Sequence, residues 1–232
     1  MKLRYTLLAA SAALAMAGTA HADAVTFTAL TGTTGGTLAA TGVYKADLSS
    51  VSVGSILSIT IADNSSGLGG APGQFSGFDL DAIKLSTTNC ADAACAASAA
   101  GLSVFDFIAG TVFSPGAQRT PADPKLFGTG PGGITVDDTV ATLGLFDGES
   151  TTAIPGAFGF LSMGDNGTLS FNLTSAVATA GLFMYIGEVG NNGEVAASSI
   201  TVNSGHVPEP GSFALASLAL LGLGVAHRRS RR

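Results

Sequence analysis

Tryptophan is absent from this chain, cysteine occurs twice, histidine three times, and charged side chains make up only 11% of its 232 residues. Each shortage removes some chemistry. The histidines are His21, His206 and His227, so the stretch between the first two has none. Ser-His-Asp and Cys-His catalysis, His-ligated zinc and histidine general bases are therefore unavailable there. Two thiols without histidine cannot complete a four-ligand zinc site either. Basic residues are nearly as scarce: from Asp23 to His206 only Lys45, Lys84, Arg119 and Lys125 stand against fifteen acids, a balance of −11. A body so acidic repels nucleic acid and anionic lipid and suits solubility or divalent cations. Carboxylate chemistry survives these exclusions, because two acids suffice for glycoside hydrolysis.

The two ends are of a different character. Lys2 and Arg4 form a basic start, residues 7–17 an apolar run, and Ala20-His21-Ala22 a small-x-small site, which together describe a secretory signal peptide over residues 1–22. Cleavage after Ala22 is expected, with a cut after Ala24 as the alternative. The other end reads Val207-Pro208-Glu209-Pro210-Gly211, then an apolar run to Ala226, then His227-Arg-Arg-Ser-Arg-Arg232. The 16 residues 211–226 fall short of the ~20 that a ~30 Å bilayer core requires, so they form a marginal span. The terminal arginines orient it with the tail in the cytoplasm.

This ordered triplet of motif, apolar helix and basic tail resembles the PEP-CTERM sorting signal of exported bacterial proteins. The resemblance implies that Pro208, Glu209 and Pro210 are read by an exosortase, a membrane-embedded transpeptidase. It also implies export through the secretion translocon, transient inner-membrane anchoring, and release to the surface or the extracellular matrix. The expected organisation is a signal peptide at 1–22, one domain at 23–203, a linker at 204–211, a transmembrane sorting helix at 212–226 and a basic tail at 227–232.

The domain reads as all-β. Short apolar and β-branched runs, separated by Gly, Asn, Asp, Ser and Pro, predict strands at 25–30, 42–48, 55–62, 78–86, 102–108, 134–145, 156–161, 168–173, 182–188 and 196–202. Leu169, Phe171 and Leu173 alternate with polar residues, which gives that strand one buried and one wet face. Residues 64–73 and 114–133 read as long loops. No internal repeat is present, and the expected fold is a jelly-roll-like β-sandwich. Gly128-Thr-Gly-Pro-Gly-Gly133 matches a dinucleotide fingerprint, but Pro131 lies inside it and a strand-like Ile134-Thr-Val136 follows, so it reads as a turn.

The one helical candidate is 89–101, with Asn89 as its cap and Gly101 at its end. Cys90 and Cys95 contest it, because five helical steps point two residues about 140° apart. Helix and bridge are read as exclusive, and export to an oxidising compartment favours a Cys90–Cys95 disulfide in a loop.

The remaining signal is Phe75-Ser-Gly-Phe-Asp-Leu-Asp-Ala-Ile83. Asp79 and Asp81 would emerge on one face of a strand. Two readings stay open, an edge strand with a solvated acidic face, and a Ca²⁺ site completed by Asp63, Asn64, Glu188 or Glu194. The run Phe78–Leu85 also resembles a strand of jelly-roll carbohydrate-binding modules. The PEP-CTERM resemblance implies a surface or extracellular-matrix protein of the kind linked to exopolysaccharide or biofilm, and the expected role is that of a non-catalytic structural or adhesive component. The alternatives are a carbohydrate-binding module and a secreted carboxylate-dependent glycosidase. The lack of Trp counts against a sugar-stacking platform.

Overall fold

The computed structural model describes residues 22–36, 38–51, 54–65, 67–148, 159–194 and 201–203. The expected signal peptide, apart from Ala22, and the linker, sorting helix and basic tail lie outside them. The described residues form β1 (Ala22–Asp23), β2 (Thr28–Thr34), β3 (Thr41–Asp47), β4 (Ser55–Ala62) and β5 (Asp79–Ser86). A short helix α1 (Ala93–Ser98) follows, then β6 (Thr111–Ser114), β7 (Leu161–Ser162), β8 (Thr168–Ala178), β9 (Phe183–Val189) and β10 (Thr201–Asn203).

The strands make two five-stranded sheets, β1-β10-β4-β8-β6 and β2-β3-β9-β5-β7, with antiparallel neighbours throughout. With the edge strands β2 and β6 set aside, the pairs β1·β10, β3·β9, β4·β8 and β5·β7 match the chain from its two ends inward. That is the order produced when a long hairpin of eight strands rolls up, and it defines a jelly roll. The expected fold class is therefore the one observed. The expected cut after Ala22 falls inside β1, and a cut after Ala24 would remove that strand entirely.

The core lies between the sheets. Ile56, Ile59, Ile61, Leu169 and Phe171 from one sheet meet Leu80, Ile83, Leu85, Met184 and Ile186 from the other. On β8 the alternation holds as read, with Leu169, Phe171 and Leu173 buried. On β4 and β5 the spacing of core residues changes parity, between Ile56 and Ile59 and between Leu80 and Ile83. Each break coincides with a register shift against the neighbouring strand, at Ile56/Ser58 and at Leu80/Ile83. An extra residue at such a bulge rotates the following side chains to the opposite face, so both halves of the strand still present apolar residues inward.

Two expected strands are absent. Residues 102–108 form only one isolated bridge, Phe105 to Leu173, and 134–145 fold as successive turns in which Val140 and Ala141 donate to the carbonyl of Asp137. Both segments nevertheless contribute to the core. Phe105 and Phe107 stack at 5.4 Å and set their planes almost perpendicular to Phe171, while Ala141 and Leu143 are buried. Their apolar residues record burial, which a strand and a packed loop share.

A second, smaller cluster covers the outer face of the sheet that contains β5. Val43, Ala82 and Tyr185 project there against Ala93, Ala96 and Cys90 of the α1 region. The helix begins three residues after Cys90, capped by Asp92, whose carboxylate accepts from the Cys95 amide at 2.7 Å. Helix and disulfide therefore coexist, which corrects the reading that they exclude each other. Asn89 is not the cap, and Cys90 stands before the helix, where the chain can turn back to Cys95 with a Cα–Cα distance of 5.5 Å. Lys84 secures the far end, its ammonium donating to the carbonyls of Ala96, Ala97 and Ala99. Because the disulfide closes a very short loop, replacing both cysteines with serine is expected to cost about 2 kcal/mol or less. Denaturant melts of the variant check that value, and thiol titration of unfolded, unreduced protein should find no free thiol.

Candidate functional site

The acids gather at the end of the sandwich where β4 finishes and β5 and β8 begin. Asp63, the first residue after β4, is buried, and its carboxylate is fully engaged. Oδ1 accepts from the Phe78 amide at 2.9 Å, the Ser65 hydroxyl at 2.5 Å and the Ser65 amide at 3.3 Å, and Oδ2 accepts from the Asn166 amide at 2.9 Å. It clips the β4 end to the start of β5 and to the turn before β8. It is not a free metal ligand.

Asp79 and Asp81 project from β5 on the face opposite the main core, as their spacing requires, but neither is solvated. Every residue of β5 except Lys84 is buried, and the strand lies between β9 and β7. The solvated-edge reading is thereby corrected. Nor do the two carboxylates share one environment. Asp79 accepts from the Ser162 hydroxyl at 2.5 Å. Asp81 accepts from the Thr41 hydroxyl and, at 3.0 and 3.1 Å, from the Gly148 amide, with Asp147 beside it. Burial pushes the Asp79 carboxyl well above the ordinary range, reinforced by Glu194. Burial likewise lifts Asp81 to about 8, with the Thr41 hydrogen bond opposing and the Asp147 charge adding to the rise.

Glu188 and Glu194 face one another beside this group. Glu188 lies directly across from Leu80 on β9 and so points to the interior, and Glu194 follows in the next turn. They are 0% and 1% exposed, and none of their four carboxylate oxygens receives a hydrogen bond. The Asn191 and Asn192 amides favour ionisation of Glu188 without closing a bond of ordinary geometry. Burial, then the neighbouring Glu194, raises Glu188 to about 9. Burial raises Glu194 to about 7, with Arg119 opposing.

Among the described residues Arg119 is the single base here. It reaches in from the 114–133 loop, and its guanidinium is committed to Asp165, with Nη2 to Oδ1 at 2.7 Å and Nε to the two oxygens at 3.0 and 3.1 Å. It also donates to the carbonyl of Gly69 and stands 3.8 Å from Glu194 Oε1. Gly70, at φ +60°, lies against Glu194, so a Cβ there would fall 1.6 Å from Oε1. The glycine-rich 67–73 loop closes over the carboxylate because it has no side chain at that point. Tyr44 completes the wall, its hydroxyl donating to the Glu194 carbonyl at 3.3 Å.

Of the residues expected to bind a cation, the fold thus brings Asp79 and Glu188 into one neighbourhood, engages Asp63 in backbone hydrogen bonds, and places Asp81 with Asp147. Arg119 and Tyr44 carried no signal in the sequence. Among the described residues no three His, Cys, Asp or Glu side chains are gathered as a ready-made metal centre.

The sorting residues Pro208, Glu209 and Pro210 lie outside the described residues, but the comparison with protein families bears on them. The family model of the PEP-CTERM protein-sorting motif matches residues 206–230. Neither the curated proteins nor the solved structures provide a match. The chain carries a PEP-CTERM sorting motif, and with it the marks of an exported protein that is membrane-anchored before processing by an exosortase. No helix among the described residues is long and apolar enough to cross a membrane, and both segments expected to enter one lie outside them.

Proposed function

We propose that this is a non-catalytic surface or extracellular-matrix protein, released by exosortase cleavage near Pro208-Glu209-Pro210 and associated with exopolysaccharide or biofilm. The observation that carries the reading is the sorting motif over residues 206–230, which follows in sequence a jelly-roll domain whose last described strand is β10. A structural role is supported by how the domain uses its acids. Asp63 and Asp81 are buried and hydrogen-bonded to backbone amides, so neither is presented to a substrate. The carbohydrate-binding alternative has one observation in its favour, a groove of about 550 Å³ lined by Phe105, Phe107, Leu145 and Asp138.

Replacing Pro208-Glu209-Pro210 with three alanines is expected to trap the protein in the inner membrane, since the anchor persists and the cut is lost. Fractionation of the host cells measures this. Mass spectrometry of the released wild-type protein should find a C-terminus upstream of Arg232. Surface-located protein still ending in Arg232 would refute sorting.

A further inference from the structure

We propose that Glu188 and Glu194 form a Ca²⁺ site at the end of the sandwich where β4 finishes and β5 begins, in place of the Asp79–Asp81 pair suggested by the sequence. The argument is one of unmet charge. Tyr44, Asp63, Asp79, Arg119 and Asp165 are the titratable and charged groups around the pair. Arg119 is the only base among them, and its short contacts all go to Asp165 and Gly69. Its 3.8 Å approach to Glu194 is too long to neutralise two carboxylates. Asp63 and Asp79 each have donors of their own. Glu188 and Glu194 alone are fully buried with no hydrogen bond of ordinary geometry to any oxygen, the Asn191 and Asn192 amides near Glu188 and the Asp79 amide near Glu194 approaching without closing one.

A buried carboxylate in that condition is costly, and the protein interior offers it two remedies, a proton shared across the pair or a cation between them. Oxygen ligands on two facing acids suit a hard ion, and Ca²⁺ accepts the irregular geometry that a turn such as 190–194 provides. Its remaining ligands would be backbone carbonyls and water, which explains why no cluster of three acids is needed. The glycine at position 70 is consistent with this role, because any side chain there would push the Glu194 carboxylate out of place.

Tyr44 supplies the probe. Tb³⁺ takes Ca²⁺ sites and emits when a nearby tyrosine is excited, and the chain has no tryptophan to confuse the signal. The full-length protein at pH 8 is expected to sensitise Tb³⁺, and CaCl₂ should displace it. Tyr44→Phe should remove the emission while leaving calcium stabilisation intact. Millimolar CaCl₂ should raise the unfolding midpoint by several degrees more than NaCl of equal ionic strength. Glu188→Gln/Glu194→Gln should abolish both signals, whereas Asp81→Asn should keep them. If the double variant fails to fold, Glu194→Gln alone carries the comparison. Wild type that shows neither emission nor a calcium-specific shift overturns the site and leaves a pair that holds only a proton. A calcium shift that survives in Glu188→Gln/Glu194→Gln overturns it equally, because the ion then binds elsewhere.

Discussion

Between pH 5 and pH 9, with a chelator present, the unfolding midpoint of this protein is expected to fall steadily, by roughly ten degrees or more. Most proteins gain stability as pH rises through the carboxylate range, because their acids are better ionised folded than unfolded. Here the direction is reversed. Asp79, Asp81, Glu188 and Glu194 all have raised values in the folded state, with Asp81 at about 8, Glu194 at about 7 and Glu188 at about 9, and burial is the leading cause in each. In the unfolded chain the same groups release their protons near pH 4 to 4.5. Between those limits the folded state binds more protons than the unfolded one, so each step upward in pH favours unfolding. The stabilising contribution is complete below the unfolded value and lost as pH passes through the folded ones.

Circular dichroism melts at unit pH intervals measure this directly. The variants separate the two acid groups. Asp81→Asn supplies the donor that a protonated acid would offer to Asp147, so it should flatten the curve around pH 8. Glu188→Gln/Glu194→Gln should remove the share carried by the glutamates, leaving the slope that buried Asp79 contributes. A midpoint that climbs from pH 5 to pH 9 would show that these carboxylates are ionised and paired in the folded protein.

The contrast between what the sequence announced and what it hid is physical. A sandwich was legible because alternation on β8 and the turn residues between runs are local properties, and the 55–62 strand could be placed to the residue. Bulges were not, since the parity change at Leu80/Ile83 depends on the partner strand. The same limit governs the acids. Asp79 and Asp81 looked like one site because they are two residues apart, yet β5 is covered on both faces and gives each a different partner. Glu188 and Glu194 meet Arg119 only after the rolled hairpin has brought β9 beside β5 and laid the 114–133 loop across the end. No spacing in the chain encodes that meeting. The sorting motif was the opposite case. Its parts are contiguous and read by another molecule, so the motif needed no fold to be recognised.

Asp63→Ala is expected to be among the most damaging single substitutions in the domain, at about 3–5 kcal/mol. The carboxylate is buried and accepts from Phe78, Ser65 and Asn166, three points on different parts of the chain. Its removal strands the Phe78 and Asn166 amides in the interior with no acceptor, and each orphaned donor costs about 1–3 kcal/mol. The β4 end loses its side-chain clip to the turn that starts β8 and is left there with the backbone bond from the residue 63 amide to the Gly167 carbonyl, at 2.8 Å, which alanine retains. In a domain of this size the loss corresponds to a fall of roughly ten degrees in Tm. Asp63→Asn separates charge from shape. Its carbonyl can still serve one side, but its NH₂ must then face a donor that the second carboxylate oxygen accepted, so its cost should fall between those of wild type and Asp63→Ala. Urea melts of the three proteins give the order. Asp63→Ala within about 1 kcal/mol of wild type would mean that the amides find other acceptors, and that the clip does not hold this end of the sandwich.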